Sequence, residues 1–244
     1  SASLVCALLF REQLRQTTRR GAFYGVVLGI TMFIGSTTMA YGVLSTTAST
    51  ATFLASAKIV FVPLLLALWT RKLPSVRMSL CFLGTMVGIG LLSLEDGLNL
   101  SIGAILCILS ALSYAFHIIF TGEMARHENA VVLGVVQQIT MAILGWVGLA
   151  LFNTPVVPTD FAPWTAVLTL ALVNGVFVFV SQSVAQAHAS SEHTALLFAL
   201  EPVFGAIFSY LLMHDTLDLQ DALGAAIILL SVLLASIKKK SAPK

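Results

Sequence analysis

The sequence predicts an all-α integral membrane protein, an inverted-repeat helical bundle. Three observations carry the prediction: composition, the length of the apolar runs, and the placement of the basic residues. Of the 244 residues, 58% are hydrophobic and 10% charged, and the mean hydropathy is +0.96. A soluble domain carries roughly 25% charged residues, so this chain cannot cover a water-facing surface and lipid must be its solvent. The net charge of +2 offers no case for nucleic acid or an acidic partner. Cys6, Cys81 and Cys107 lie within apolar runs, where a thiol behaves as a small buried hydrophobe rather than a disulfide half or metal ligand.

A helix needs about 20 mostly apolar residues to cross the hydrocarbon. The runs that qualify are 21–44, 50–70, 78–95, 102–122, 130–152, 164–188, 194–213 and 219–237, and residues 3–10 read as the tail of another. The connections between them are short, which leaves no room for an inserted soluble domain. Strands are disfavoured, because the runs are too long and lack a two-residue alternation.

Charge placement orients the bundle. Arg11, Arg15, Arg19 and Arg20 precede the first run, Arg71, Lys72 and Arg77 follow the second, and Arg126 follows 102–122. Lys238, Lys239, Lys240 and Lys244 form the tail. If the chain crosses at every run, all of these fall on one side, while Glu95, Asp96, Asp160, Asp215, Asp218 and Asp221 fall on the other. The positive-inside rule makes the basic side cytoplasmic, with the C-terminus there and the chain in the cell (inner) membrane. Of the thirteen Lys and Arg residues, only Lys58 lies inside a run.

An internal repeat relates the tail of the chain to its first third. Phe53-Leu-Ala-Ser-Ala-Lys58-Ile-Val-Phe-Val-Pro63, running on to Lys72-Leu73, matches Leu197-Phe-Ala-Leu-Glu201-Pro202-Val-Phe-Gly205, running on to Thr216-Leu217. A helix rich in small residues follows each copy, containing Gly84, Gly88 and Gly90 in one and Gly224 in the other. The repeats divide the chain into residues 1–97 and 98–240, with a cytoplasmic tail at 241–244. Laying Thr194 on Thr50 leaves the first copy short by roughly 40 residues, so the first repeat is expected to be N-terminally incomplete. An odd number of helices per copy inserts the two copies upside down relative to each other. Secondary transporters are commonly built this way, with the substrate site at mid-membrane.

The polar residues within the runs are the candidate site. A lysine near mid-membrane costs about 2.5–3.5 kcal/mol on insertion scales, so Lys58 is expected to face a cavity or a partner, as an anchor for an anionic group or a coupling charge. The plainer reading is a snorkelling or purely structural lysine. Glu201 precedes Pro202, which opens the helix backbone. It reads either as a structural acid beside that opening or as a protonatable or substrate-binding group. Lys58 and Glu201 occupy near-equivalent repeat positions on oppositely directed helices, their backbones expected to differ in depth by roughly 6–7 Å. Side chains can close that gap directly or through a bound zwitterion or water, so the two are expected to face one cavity and be coupled.

Asn174, Gln182 and Gln186 share one stripe of the 164–188 helix, suited to a substrate or equally to inter-helix hydrogen bonding. Ser110, Ser113, Tyr114, His117 and Thr121 form a similar stripe on 102–122, where His117 can be a substrate ligand or a satisfied bundle histidine. Gln137 and Gln138 are adjacent, so one of them at most is expected to turn inward. Gly21, Gly25 and Gly29, like Gly84 and Gly88, read as packing seams. His188, Glu192, His193 and His214 lack metal-site spacing and are predicted on different sides, so no metal is expected.

The segment Thr194-Ala-Leu-Leu-Phe-Ala-Leu-Glu-Pro-Val-Phe-Gly-Ala-Ile-Phe-Ser-Tyr-Leu-Leu212 resembles the end of an EamA repeat of the drug/metabolite transporter superfamily. Ser110-Ala-Leu-Ser-Tyr-Ala-Phe-His-Ile-Ile119 resembles the opening helix of the second EamA repeat. The resemblance implies ten transmembrane helices in two five-helix repeats, of which about eight are complete here. It also implies transport of amino acids or related small metabolites, with drugs as a further option. Two positions depart from it: Ala57-Lys58 stands where such repeats often carry proline, and Asp215 replaces the family's acidic residue in conservative form.

The leading expectation is therefore a secondary transporter working by alternating access, with export favoured by family analogy. Its site is Lys58, Glu201, Asn174, Gln182, Gln186, Tyr114 and His117. No cofactor is implied, and the absence of a nucleotide-binding loop argues against direct ATP coupling. Expected partners are a small-molecule substrate and the lipid bilayer, with a homodimer as an option and nucleic acid not among them. The rivals are an intramembrane enzyme using Glu201 and the histidines, and a non-transporting membrane sensor or scaffold.

Overall fold

The structure is a computed structural model describing residues 7–46, 48–93, 101–152, 164–165, 168–169, 173, 177–208, 211 and 219–236. Every regular element among the described residues is helical. In chain order these are α1 (Arg11–Arg15), α2 (Arg19–Val43), α3 (Ala48–Ala55), α4 (Lys58–Thr70), α5 (Val76–Ser93) and α6 (Ile102–Met124). They continue with α7 (Ala130–Phe152), α8 (Phe179–Gln186), α9 (Ser191–Leu197), α10 (Leu200–Phe208) and α11 (Leu219–Ser236).

Arg19–Val43, Thr50–Thr70, Ile102–Met124 and Ala130–Leu151 are long and apolar enough to cross a membrane, and Val76–Leu91 and Ala222–Ala235 are shorter apolar helices. These coincide with six of the predicted runs. The run at 164–188 is described only in part, ending in α8, and that at 194–213 is represented by α9 and α10. Two predicted runs depart from a single helix. Residues 50–70 break at Ser56–Ala57, and the run from 194 breaks at Phe198–Ala199.

Short polar residues mark where the helices begin. Thr18 Oγ1 accepts the Gly21 N–H at 2.8 Å, Ser75 Oγ the Met78 N–H at 3.3 Å, and Ser101 Oγ the Ala104 N–H at 3.1 Å. Asn129 Oδ1 accepts from Val131 and Val132 at 3.0 and 3.4 Å. Each bond satisfies N–H groups that the first helical turn leaves open, a gain of about 1 kcal/mol apiece. At its other end α4 stops on Arg71, which adopts the left-handed conformation with φ 54°.

The chain forms two compact units. The first comprises Ser1–Ile34 and Ile119–Ser190. Here α2 lies against α7 through Gly25 and Gly29, where an added Cβ would come within 2.5 Å of Val136 and of Thr140. The predicted glycine seam is thus a close backbone approach, the kind of packing that holds helices together when lipid is the solvent. On the other flank of α7, Gly134 meets Val180 and Ser183 of α8. Enclosed by both neighbours, α7 buries Gln137 and Gln138 together, against the expectation that one of them at most would turn inward.

Basic residues gather at one end of this unit. Thr18, just before Arg19 and Arg20, donates to Glu128 Oε2 at 2.8 Å in the turn that also holds Arg126. Phe10 and Leu14, flanking Arg11, pack with Val131 and Val135 at the start of α7.

The second unit comprises Gly35–Ile118 and Ser191–Lys244. Its spine is the antiparallel pair α5 and α11. Arg77 Nη2 donates to Ala235 O at 3.2 Å at one end, and Gln220 Nε2 donates to Leu91 O at 2.9 Å at the other. Between them Gly84 faces Ser231, and Gly88 faces Ile228 and the Gly224 carbonyl. An apolar cluster of Ile59, Phe82, Ile89, Leu196, Val203 and Ile228 ties α4, α9 and α10 to this spine. Arg71 and Lys72 lie in the turn between α4 and α5 and Arg77 in the first turn of α5, so these three share one end of the unit, whereas Lys58 opens α4 at the other end of that helix. Lys238, Lys239, Lys240 and Lys244 lie outside the described residues. Cys81 and Cys107 are free, buried thiols, as the sequence predicts.

Candidate functional site

Both broken helices lie in the second unit. Pro202 has no N–H, so the Phe198 carbonyl loses the donor a regular helix supplies four residues on. The Glu201 N–H takes its place at 3.1 Å, and the Ala199 N–H bonds Leu196 O at 3.0 Å. These are tighter three-residue turns, and they separate α9 from α10. The break before Lys58 has no proline at that distance. There the Ser56 N–H is shared between Thr52 O and Phe53 O at 3.1 Å each, and the Ala57 N–H reaches Leu54 O at 3.1 Å. Ser56 Oγ also bonds back to Thr52 O at 2.8 Å, a contact that bends helices.

The two breaks set Lys58 and Glu201 at helix starts, and the side chains meet. Lys58 Nζ donates to Glu201 Oε2 at 3.0 Å. Glu201 lies in the first turn of α10, where the helix dipole favours an anion. Lys58 opens α4, where the same dipole disfavours a cation by about 0.3–1 kcal/mol. Compensation comes from the carboxylate and from two rings: Lys58 Nζ sits 5.0 Å from the Phe198 ring centroid and 5.7 Å from that of Tyr114. Both distances are within the range of cation–π attraction.

The pair is lopsided in exposure. The Lys58 side chain is 14% exposed and that of Glu201 68%. Among the described residues, Oε1 of Glu201 has no partner.

Tyr114 is held from behind. Its hydroxyl and Ser36 Oγ share a hydrogen bond of 2.9 Å, and Ser110 Oγ donates to Gly35 O at 2.8 Å. An added Cβ at Gly35 would lie 3.2 Å from the Tyr114 ring, so glycine sets how closely α2 backs the ring.

Of the residues singled out from sequence, the structure brings Lys58, Glu201 and Tyr114 together. His117 follows Tyr114 by one turn of α6 and is 1% exposed. Gln182 and Gln186 belong to the first unit, on α8. Gln182 is half-buried, whereas Gln186 is 1% exposed and its amide has no hydrogen-bond partner among the described residues. Asn174 lies outside the described residues. Phe198 and Ser36 were not anticipated. Phe198 stands three residues before Glu201, a spacing that puts both on one helical face, and that signal was available. Ser36 carries no comparable mark.

Among the described residues no three His, Cys, Asp or Glu side chains are placed to hold a metal ion. His193 Nε2 lies 3.3 Å from Ala235 O, and His214 is outside the described residues. The cluster therefore offers an ammonium, a carboxylate with an open oxygen, and two aromatic faces. Such groups can bind a charged small molecule.

Residues 101–237, more than half of the chain, match the EamA-like transporter family. The chain belongs to the EamA-like transporter family. A protein named as an uncharacterized transporter from Archaeoglobus fulgidus is 30% identical over 218 residues, covering 88% of this chain and 68% of that protein. A solved crystal structure shares the fold with a TM-score of 0.70 and 14% identity, covering 96% of this EamA chain and 93% of its own. At that identity the likeness speaks for the fold alone. Family and relative together make this a membrane transporter of the drug/metabolite type, with an all-helical membrane fold.

Proposed function

We propose that this EamA-family chain is a secondary carrier that moves amino acids or related small metabolites, drugs included, by alternating access, in the direction of export. The observation that carries the reading is the Lys58–Glu201 pair, formed where two repeat-related helices are both interrupted. Interrupted helices supply open backbone groups and helix ends at mid-membrane, the usual setting of a transporter's binding site. Tyr114 joins the pair directly, His117 extends the same helix, and Asn174, Gln182 and Gln186 are the amides assigned to the substrate. The match at 101–237 falls within the second repeat assigned to 98–240 and supports that boundary, leaving 1–97 as the first repeat. A carrier is favoured over an enzyme because both the family and the relative are transporters.

The gathering of basic residues at one end of each unit supports a cytoplasmic placement of that end and of the C-terminus in the inner membrane. Single-cysteine labelling tests this. Labelling of Asp160→Cys from the cytoplasmic side alone would reverse the orientation.

Counterflow into proteoliposomes, across a panel of labelled amino acids and organic cations, tests the carrier reading. Flux that falls at least about tenfold in Glu201→Gln is the expected result, since losing the carboxylate strands the largely covered Lys58 ammonium. Saturable binding with no flux for any bound compound would favour the sensor or scaffold reading instead.

A further inference from the structure

We propose that Glu201, Tyr114 and Phe198 form a box for the ammonium group of a substrate, and that Lys58 fills the box with its own ammonium until the substrate displaces it. The inference rests on the reading of this cluster as the carrier's binding site, and deepens it by naming the substrate's charged group.

Three features of the cluster support it. The Lys58 ammonium has ring faces on two sides, at 5.0 and 5.7 Å, and a carboxylate oxygen at 3.0 Å. This is the contact set by which proteins recognise organic cations. All three contacts are made to the ammonium, and an untethered alkylammonium would make them equally well. Lys58 also occupies the box under a handicap, because it is fixed to the positive end of α4. A free ammonium carries no such penalty.

The open face of the cluster decides the sign of the ligand. Glu201 is the more exposed partner, and its Oε1 is open among the described residues, whereas Lys58 is largely covered. An approaching anion meets the carboxylate first and is repelled. An approaching ammonium can bond Oε1 while Lys58 still holds Oε2, so no bare buried charge is created during the exchange. A small hard metal ion needs a shell of several oxygens, and ring faces supply none. The displaced Lys58 then needs an anion, which a zwitterionic substrate carries itself.

Chemical rescue tests the box without reference to transport. Lys58→Ala removes the built-in ammonium and leaves a space that n-butylammonium can fill. Binding of n-butylammonium chloride to purified wild type, Lys58→Ala and Lys58→Ala/Glu201→Gln would be measured by titration calorimetry, with sodium chloride as the control. Expected is binding to Lys58→Ala at least about tenfold tighter than to wild type, and its loss in the double variant. Lys58→Met keeps the apolar stem and guards against misfolding of the alanine variant; there methylammonium is the probe, again expected to bind more tightly than to wild type. Equal affinity in wild type and in whichever variant folds would overturn the proposal. Flux measured separately on wild type keeps the two readings apart: rescue without wild-type flux removes the carrier and leaves the box, and flux without rescue does the reverse.

Discussion

The interruptions before Lys58 and before Glu201 stand at near-equivalent places in two sequence segments that resemble each other, 53–63 and 197–205, yet different chemistry makes them. At Glu201 a proline withdraws one backbone donor, and the orphaned Phe198 carbonyl is taken by the N–H of Glu201 itself. At Lys58 no donor is missing at that distance. A serine bonding back to Thr52 and a run of short turns shift the hydrogen bonds by one residue. The first break is built into the covalent chain, whereas the second depends on bonds that a regular helix could recover. One break therefore holds its charge by constraint and the other by competition.

The largest effect should come from unequal removal of the two charges. Glu201→Gln strands a largely covered ammonium, and is expected to cost about 2 kcal/mol of stability, below the full buried-pair figure because the carboxylate is exposed. Lys58→Met leaves a more open carboxylate that can be hydrated or protonated, and should cost less than about 1 kcal/mol. The double variant should resemble Lys58→Met, with a non-additive remainder. Thermal melts of the four proteins in one detergent read this directly, and additive costs of equal size would show that the pair does not act as a unit.

Pro202→Ala should separate stability from function. The restored N–H can bond the Phe198 carbonyl, a gain of about 1 kcal/mol, and joins α9 to α10. Glu201 is then turned away from Lys58, so the melting temperature should hold or rise while proteoliposome flux falls. A fall in both would mean that the proline supports packing rather than the break.

At the far end of α4, Arg71→Gly should stabilise by about 1 kcal/mol, since glycine adopts the left-handed conformation without strain. Flux should stay unchanged, because the substitution leaves the Lys58 end of the helix alone. A destabilised variant would show that the Arg71 side chain holds the turn. Ser56→Ala should have the smallest effect, about 0.5 kcal/mol from the lost bond to Thr52. If it lowered flux as much as Pro202→Ala does, the two breaks would be equally constrained and the contrast between them would disappear.

Much of this was legible in the sequence because lipid imposes a simple rule: twenty apolar residues, then a polar stop. The helix starts at Thr18, Ser75, Ser101 and Asn129 follow from capping chemistry, which is local. The Lys58–Glu201 pairing was accessible for a different reason: the expected repeat register would bring the two residues close enough in depth for their side chains to meet. What escaped was set by neighbours far away in the chain. Ser36 meets Tyr114 across 78 positions. Gln137 and Gln138 are both buried because helices close on two flanks of α7. The break at Ser56 leaves no apolar period to read, and only the three-residue spacing from Glu201 hints at the ring of Phe198 beside Lys58.

At the α5–α11 contact, the backbone of Gly88 stands against the carbonyl of Gly224. Helices that slide past one another normally do so by re-seating side chains from one groove into the next. At this crossing there is almost no side chain to re-seat: a shift by one turn would bring Gly84 against Gly224 in one direction and the turn at Leu91 in the other. The crossing is in effect a one-sided stop: bulk opposes travel towards Leu91, and the second glycine leaves room the other way. The backbone bonds of this unit that are already out of step, at Ser56 and at Phe198, lie beside the two charges that meet there.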